Sequence, residues 1–399
     1  MSRSISVAGV LLAVAVPPVP AQVSHPADMT IDAATRRQVI DGALARLTEA
    51  YVFPDTAVAM ERAIRDRVRR GEYEWITSAQ TLADSLTAHL QAVSQDRHLR
   101  VRYSDEPLPR LDAHQRPTPE MEARARAFGR QVNFGFEKVE RLPGNVGYLE
   151  LRSFGFEPEW IGDAAAAAFA FLANTDALIV DVRRNGGGSP AMVAFVSSYL
   201  FGADSVHLNS LYWRPGNRTE HFYTRTRVPG VRYGPERPVY VLTSRLTFSG
   251  AEEFAYNLQT RRRAVIVGDT TGGGAHPGGL QRITDHFGIW VPTGRAINPI
   301  TQTNWERVGV RPDLAVPSDQ ALRAAQLAVL RGLRERATDS ERRRLLDEAI
   351  AEVRGGRSSD RPRRRDEIPL SLRTLPLRCS PTRRPSRLSP PRTFSRSPA

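Results

Sequence analysis

The sequence predicts an α/β fold entered through a small helical bundle, and three observations carry that reading. From residue 132 onward, apolar runs such as "DALIVDVR", "PVYVLTS" and "AVIVG" alternate with helical patterns such as "SGAEEFAYNLQTRRR". Near-continuous apolar strands between helices indicate a largely parallel sheet covered by helices. Residues 35–94 instead repeat their apolar positions at helical spacing. Finally, 399 residues with 41% hydrophobic and 25% charged content are enough for a sizeable core.

The elements follow in order. "MSRSISVAGVLLAVAVPPVPAQ" has a basic start, an apolar run of Ile5–Val16 and small residues near Ala21. That is the layout of a secretory signal (residues 1–21), and the run is too short for a bilayer span. Secretion or periplasmic export is the corresponding expectation. Residues 30–115 hold helices at Thr35–Phe53, Asp55–Tyr73 and Thr77–Ser94, the last with Thr77 as N-cap, then a strand at Arg97–Tyr103. A Pro-rich connection and the short helix "TPEMEARARAFGRQ" lead into the α/β region, residues 130–320. Residues 321–355 read as C-terminal helices, and 356–399 as a disordered tail rich in Arg, Pro and Ser.

The net charge of +13 suggests a nucleic-acid partner until it is located. Twelve Arg and three acids in residues 355–399 account for +9, and the rest of the chain carries +4 without a basic helix. No nucleic-acid surface and no later membrane span are expected. Cys379 is the single cysteine, which excludes an intramolecular disulfide and a cysteine-based metal site. No HExxH-like spacing occurs, so neither metal nor cofactor is expected.

Two strand-to-helix junctions could carry chemistry. In "DVRRNGGGSP", Asp181–Pro190, contiguous glycines can aim backbone N–H groups into one concavity. The phosphate reading fails there because GK[ST] and G-x-G-x-x-G patterns are absent. In "LTSRLTFSGAEEF", Ser249 matches the S-x-x-E capping box with Glu252. It equally matches a nucleophile presented at a sheet edge, although G-x-S-x-G is not met. The local sequence leaves cap and nucleophile open.

A serine nucleophile needs a base. The chain has one lysine, Lys138, inside an apparent strand, so a Ser–Lys dyad on the serine's own helix is excluded. Among the histidines, His98 lies where helix gives way to strand, and His276 lies on the loop "TTGGGAHPGG"; both remain candidates.

Four ordered stretches carry a family likeness: "DVRRNGGGSP", "LTSRLTFSGAEEF", "VGDTTGGGAHP" and "PTGRAINPITQTNWERVGVRPD". Together they resemble the S41 serine peptidases, the family of tail-specific C-terminal processing proteases. The nearest branch includes interphotoreceptor retinoid-binding protein and the tricorn core. The resemblance implies a crotonase/ClpP-like α/β domain acting on peptides or proteins. It implies Ser249 as nucleophile, His98 as general base, Glu306 as acidic partner, and an oxyanion hole from Gly250 and Gly187. Two departures stand out: about 40 residues between His98 and Asn145 leave no room for a PDZ module, and Arg97 precedes His98 where tricorn-like sites have serine. The rival reading on the same fold is a non-catalytic binder of an apolar, retinoid- or fatty-acid-like molecule.

Overall fold

The computed structural model describes residues 28–109 and 118–355. The expected signal segment (residues 1–21), part of the Pro-rich connection and the Arg-rich tail lie outside the described residues. Asp32 accepts the Thr35 N–H at 2.7 Å and starts α1 (Ala33–Ala50). Pro54 opens α2 (Pro54–Arg69), at a position where a helix needs no amide donor. The cap of α3 (Ala79–Ser94) is Ser78 rather than Thr77. The Ser78 hydroxyl accepts Thr81 N–H at 2.9 Å, while the Thr77 carbonyl accepts Ile31 N–H. Gln95 ends α3 in the left-handed region (φ 56°), and the chain turns before β1 (Arg100–Tyr103). Arg97 and His98 therefore sit in the turn, not in the strand expected to begin at Arg97.

The chain continues through α4 (Pro119–Gln131), β2 (Phe136–Leu142), β3 (Val146–Leu151), α5 (Pro158–Leu172) and β4 (Ala177–Asp181). Next come α6 (Pro190–Ser198), β5 (His207–Trp213), β6 (Arg218–Tyr223), β7 (Val239–Thr243), α7 (Gly250–Thr260) and β8 (Val265–Gly268). Then follow β9 (Gly278–Arg282), β10 (Phe287–Pro292), β11 (Gly294–Ile297), β12 (Leu314–Ala315), α8 (Ala321–Arg336) and α9 (Ser340–Arg354). No helix among the described residues is long and apolar enough to cross a membrane.

Six strands form the main sheet in the order β12-β8-β7-β4-β3-β2, all parallel neighbours except β2 and β3. Its central strands β3, β4 and β7 are buried on both faces, with a side-chain period of two. Leu178, Val180, Val241 and Ile266 enter the core shared with α5, α6 and α7. Ile179, Leu242 and Val267 enter the opposite core with α8 and α9. Truncating one of these side chains to alanine costs about 2–5 kcal/mol for a leucine or isoleucine, transfer and cavity terms together.

Two antiparallel three-stranded sheets, β1-β10-β9 and β11-β5-β6, complete the fold. Their strands "GGLQR" and "RTEHFY" are polar or glycine-containing, so no apolar run marks them. The first sheet matters for function. Arg100 to Tyr103 of β1 pair with Trp290 to Phe287 of β10, which ties the helical segment to the late part of the α/β region. Leu99, Val101, Phe287, Ile289 and Val291 share one core with α1, α2 and α3.

Candidate active site

β4, β7 and β8 are adjacent and parallel, so the loops leaving their carboxyl ends cluster, as loops of open α/β sheets do. These loops hold Asn185–Gly188, the turn into Ser249, and the glycine run before His276. The first two are bolted together by polar contacts. Phe248 N–H donates to the Asn185 carbonyl at 3.1 Å, and the Thr247 hydroxyl donates to the Val182 carbonyl at 2.9 Å. Asn185, fully buried, also donates from Nδ2 to the Leu151 carbonyl at 2.9 Å and accepts Gly187 N–H at 2.9 Å.

Ser249 has φ 53° and ψ −120°. Those are the angles of the first corner of a type II′ turn, a position that glycine normally fills. An ordinary serine cap in this same chain, Ser78, has φ −92° and ψ 128°. A side chain held in such a region costs about 1–3 kcal/mol and persists where surrounding contacts over-determine it. Here Glu252 supplies them. Its buried carboxylate accepts Ser249 N–H at 2.8 Å, Gly274 N–H at 2.8 Å, Gly273 N–H at 2.6 Å and the Thr271 hydroxyl at 2.5 Å. Burial raises the Glu252 carboxyl to about 7 against the pull of these four donors. The S-x-x-E box is thus present, and its glutamate also binds the His276 loop to the serine turn.

Gly187 (φ 102°) packs directly on this turn: a Cβ there would lie 2.6 Å from Gly250 N and 2.8 Å from Ser249 Cβ. A Cβ on Gly250 would in turn lie 2.9 Å from Gly188 N. The backbone of the two junctions is therefore in close contact beside Ser249. The Gly187 N–H itself is engaged by Asn185 Oδ1.

The two histidines occupy different surroundings. The His98 ring lies 4.5 Å from the Phe248 ring, tilted by 38°, and a Cβ on Gly274 would meet His98 Cε1 at 2.7 Å. Neither ring nitrogen of His98 has a hydrogen-bond partner among the described residues. Burial lowers its pKa to about 4, the Asp96 charge opposing that shift. The Ser249–His98 hydrogen bond is therefore not formed here. Such contacts in unliganded sites often close only when substrate binds.

His276 Nδ1 lies 2.8 Å from Asp96 Oδ2 and 3.5 Å from Glu306 Oε2. Glu306 Oε2 accepts Ala275 N–H at 2.5 Å, and its other oxygen has no partner. Burial raises the Glu306 carboxyl above its ordinary range, with the Asp96 charge adding to the shift and His276 opposing it. Trp305, fully buried, fixes this segment by donating from Nε1 to the Gly274 carbonyl at 2.7 Å. The structure thus groups Ser249, Gly250 and Gly187, sets His98 beside Phe248, and places Glu306 on His276 rather than on His98.

Asp96 and Tyr51 belong to this cluster and escaped the sequence reading. Only the D-x-H spacing of Asp96 and His98 could have drawn attention to the first. Asp96, His276 and Glu306 each offer one donor atom within 4.8 Å of the others, the arrangement a metal ion would need. The 2.8 Å contact between Asp96 and His276 shows these donors already satisfying one another.

Comparison with known proteins adds a family. The model for peptidase family S41 matches residues 145–316, and the model for the N-terminal domain of Peptidase_S41 in eukaryotic IRBP matches residues 33–143. The chloroplastic carboxyl-terminal-processing peptidase 2 of Arabidopsis thaliana is 26% identical over 201 residues. That alignment covers 47% of this chain and 36% of the Arabidopsis protein, so the chain spans about a third of its relative's length. A putative peptidase from Parabacteroides merdae superposes with TM-score 0.51 at 20% identity, covering 74% of this chain and 96% of the other. A lipoprotein from Streptococcus agalactiae gives TM-score 0.51 at 13% identity, covering 75% and 97%. At these identities the two structures show a shared fold.

Proposed function

We propose that this chain, which belongs to peptidase family S41, hydrolyses peptide bonds of peptide or protein substrates through an acyl-enzyme formed on Ser249. The observation that carries this reading is the Ser249 backbone, a serine at φ 53° and ψ −120° on a strand-to-helix turn. A cap does not need that geometry, whereas a nucleophile gains from it. The turn lifts the side chain off the carboxyl edge of the sheet and sets the next N–H, Gly250, beside it.

In the proposed cycle His98 takes the Ser249 proton as the hydroxyl attacks the substrate carbonyl, then returns it to the leaving amine. Water repeats the sequence to release the acyl group. The imidazole must be neutral to accept a proton, which its buried setting favours. Glu306 supplies negative charge to the histidine cluster. The tetrahedral oxyanion would be held by Gly250 N–H with an amide of the Gly187 loop. Each such donor is worth on the order of 10²–10³ in rate.

A second reading has a specific observation in its favour: His276, with a carboxylate 2.8 Å from Nδ1, has the orienting partner that His98 lacks. Export of the protein, read from residues 1–21, belongs to the proposal as well. A fluorophosphonate probe tests its core. Labelling of the parent and none of Ser249→Ala supports Ser249, and equal labelling of both removes it. A folded parent that neither labels nor cleaves peptides favours the apolar-ligand binder. Comparing His98→Gln with His276→Gln then assigns the base by the larger loss of labelling rate.

A further inference from the structure

Asp96 is 1% exposed and lies in the turn that carries His98. Its two oxygens are committed to three donors. Oδ1 accepts His98 N–H at 3.0 Å, and Oδ2 lies 2.8 Å from His276 Nδ1 and 3.2 Å from the Tyr51 hydroxyl. The Tyr51 phenol is pushed well above its usual range by burial, with the Asp96 charge adding to it, so it stays protonated and a donor. Neighbouring contacts sew the same turn onto the α/β region. Arg97 donates to the Gly272 carbonyl at 2.6 Å, and Arg307 donates to the Ser94 carbonyl at 2.9 Å.

From this geometry we propose that Asp96 is a positioning residue of the reaction, one carboxylate that orients both histidines of the site. It turns the His98 backbone so that the ring lies on Phe248. It also accepts a hydrogen bond from Nδ1–H of His276, which leaves Nε2 of that ring as the proton acceptor. The inference rests on the serine-peptidase reading and holds whichever histidine is the base, because Asp96 grips one by its backbone and the other by its ring. An aspartate is required rather than an asparagine. All three groups facing it are donors, and an amide would point an NH₂ at one of them. His276 would then have to move its proton to Nε2 or lose the contact.

The test uses the full chain with Asp96→Asn and His276→Gln variants. For Asp96→Asn we expect kcat and the fluorophosphonate labelling rate to fall on the order of 10²–10⁴-fold, with KM little changed. Imidazole NMR gives a readout that a merely structural role does not move. The parent should show a far-downfield Nδ1 proton that disappears in both Asp96→Asn and His276→Gln. That measurement on the parent stands even if Asp96→Asn fails to fold, and an unprotonated His276 Nδ1 would overturn the inference. So would parent rates in Asp96→Asn, or a loss matching only its unfolded fraction. A parent that does not label overturns the serine reading and this inference together. A labelled parent with an equally fast Asp96→Asn variant overturns this inference alone.

Discussion

His98 rests on Phe248, their rings 4.5 Å apart, and Phe248 immediately precedes Ser249. A residue of the helical segment and the turn leading into Ser249 are thus in direct packing contact. Burial in this contact lowers the His98 pKa to about 4.

The pH profile follows from that value. If His98 is the base, the acid limb of kcat/KM has its midpoint near 4, well below an ordinary histidine limb. A midpoint near 6.5 would instead assign the base to another group. Stability carries the same signature. A lowered histidine pKa gives stability that is complete above about 6.5 and is lost as pH falls through about 4, up to roughly 3 kcal/mol. Urea melts of the parent and His98→Gln should therefore diverge in slope across that window.

Ser249 stands where a turn of this type prefers glycine. Ser249→Gly should abolish peptide hydrolysis yet raise stability by about 1 kcal/mol, relief of backbone strain outweighing the entropy of glycine. Ser249→Ala keeps the strain and should lose activity with little change in Tm. A Ser249→Gly variant less stable than the parent would mean that the hydroxyl acts mainly as a cap.

Gly187 and Gly186 make a controlled pair. A methyl group on Gly187 meets Gly250 N at 2.6 Å and requires φ 102°, while one on Gly186 meets nothing within 4 Å. Gly187→Ala should cut the labelling rate at least 100-fold and destabilise by about 1–3 kcal/mol. Gly186→Ala should do neither, and similar losses in both would show that the loop tolerates no substitution for reasons other than this close approach.

Glu253 is the other buried acid of α7. It is 4% exposed, and burial raises its pKa to about 7, with Asn209 and Asn257 opposing the shift. A raised carboxyl pKa gives stability that is present below about 4.5 and lost as pH rises through about 7. Glu253→Gln should therefore be more stable than the parent at pH 8, by about 1–3 kcal/mol, and indistinguishable from it at pH 4. An equal difference at both pH values would show that the carboxyl is not titrating in this range.

The parallel strands and their helices were legible because their cause is local. Runs such as "ALIV" and "VYVL" are apolar at every position only when both faces of a strand are covered. Ser249 and the glycine loop stood out as motifs for a similar reason, since a turn that must bend sharply needs particular residues in order, whereas Glu306 came only through the family resemblance. The polar strands β9 and β6 were not legible, because edge ribbons carry no apolar run to mark them. Nor could the sequence tell cap from nucleophile at Ser249, since both readings use the same four residues. The backbone angles, φ 53° and ψ −120°, are what the structure adds to that choice.

By itself, then, the sequence determined an α/β sheet behind a helical segment, and it singled out the few residues proposed here for acyl chemistry. Only the tertiary structure decided which of them meet. The pairing of β1 with β10 carries the turn at 96–98 to the carboxyl edge of the sheet, roughly 150 residues away along the chain from Ser249. Asp96 and Glu306 then converge on His276, and His98 is left on Phe248 with both ring nitrogens unpaired. Spacing along a chain does not encode such contacts, because strand register and buried hydrogen bonds fix them only once the layers have packed.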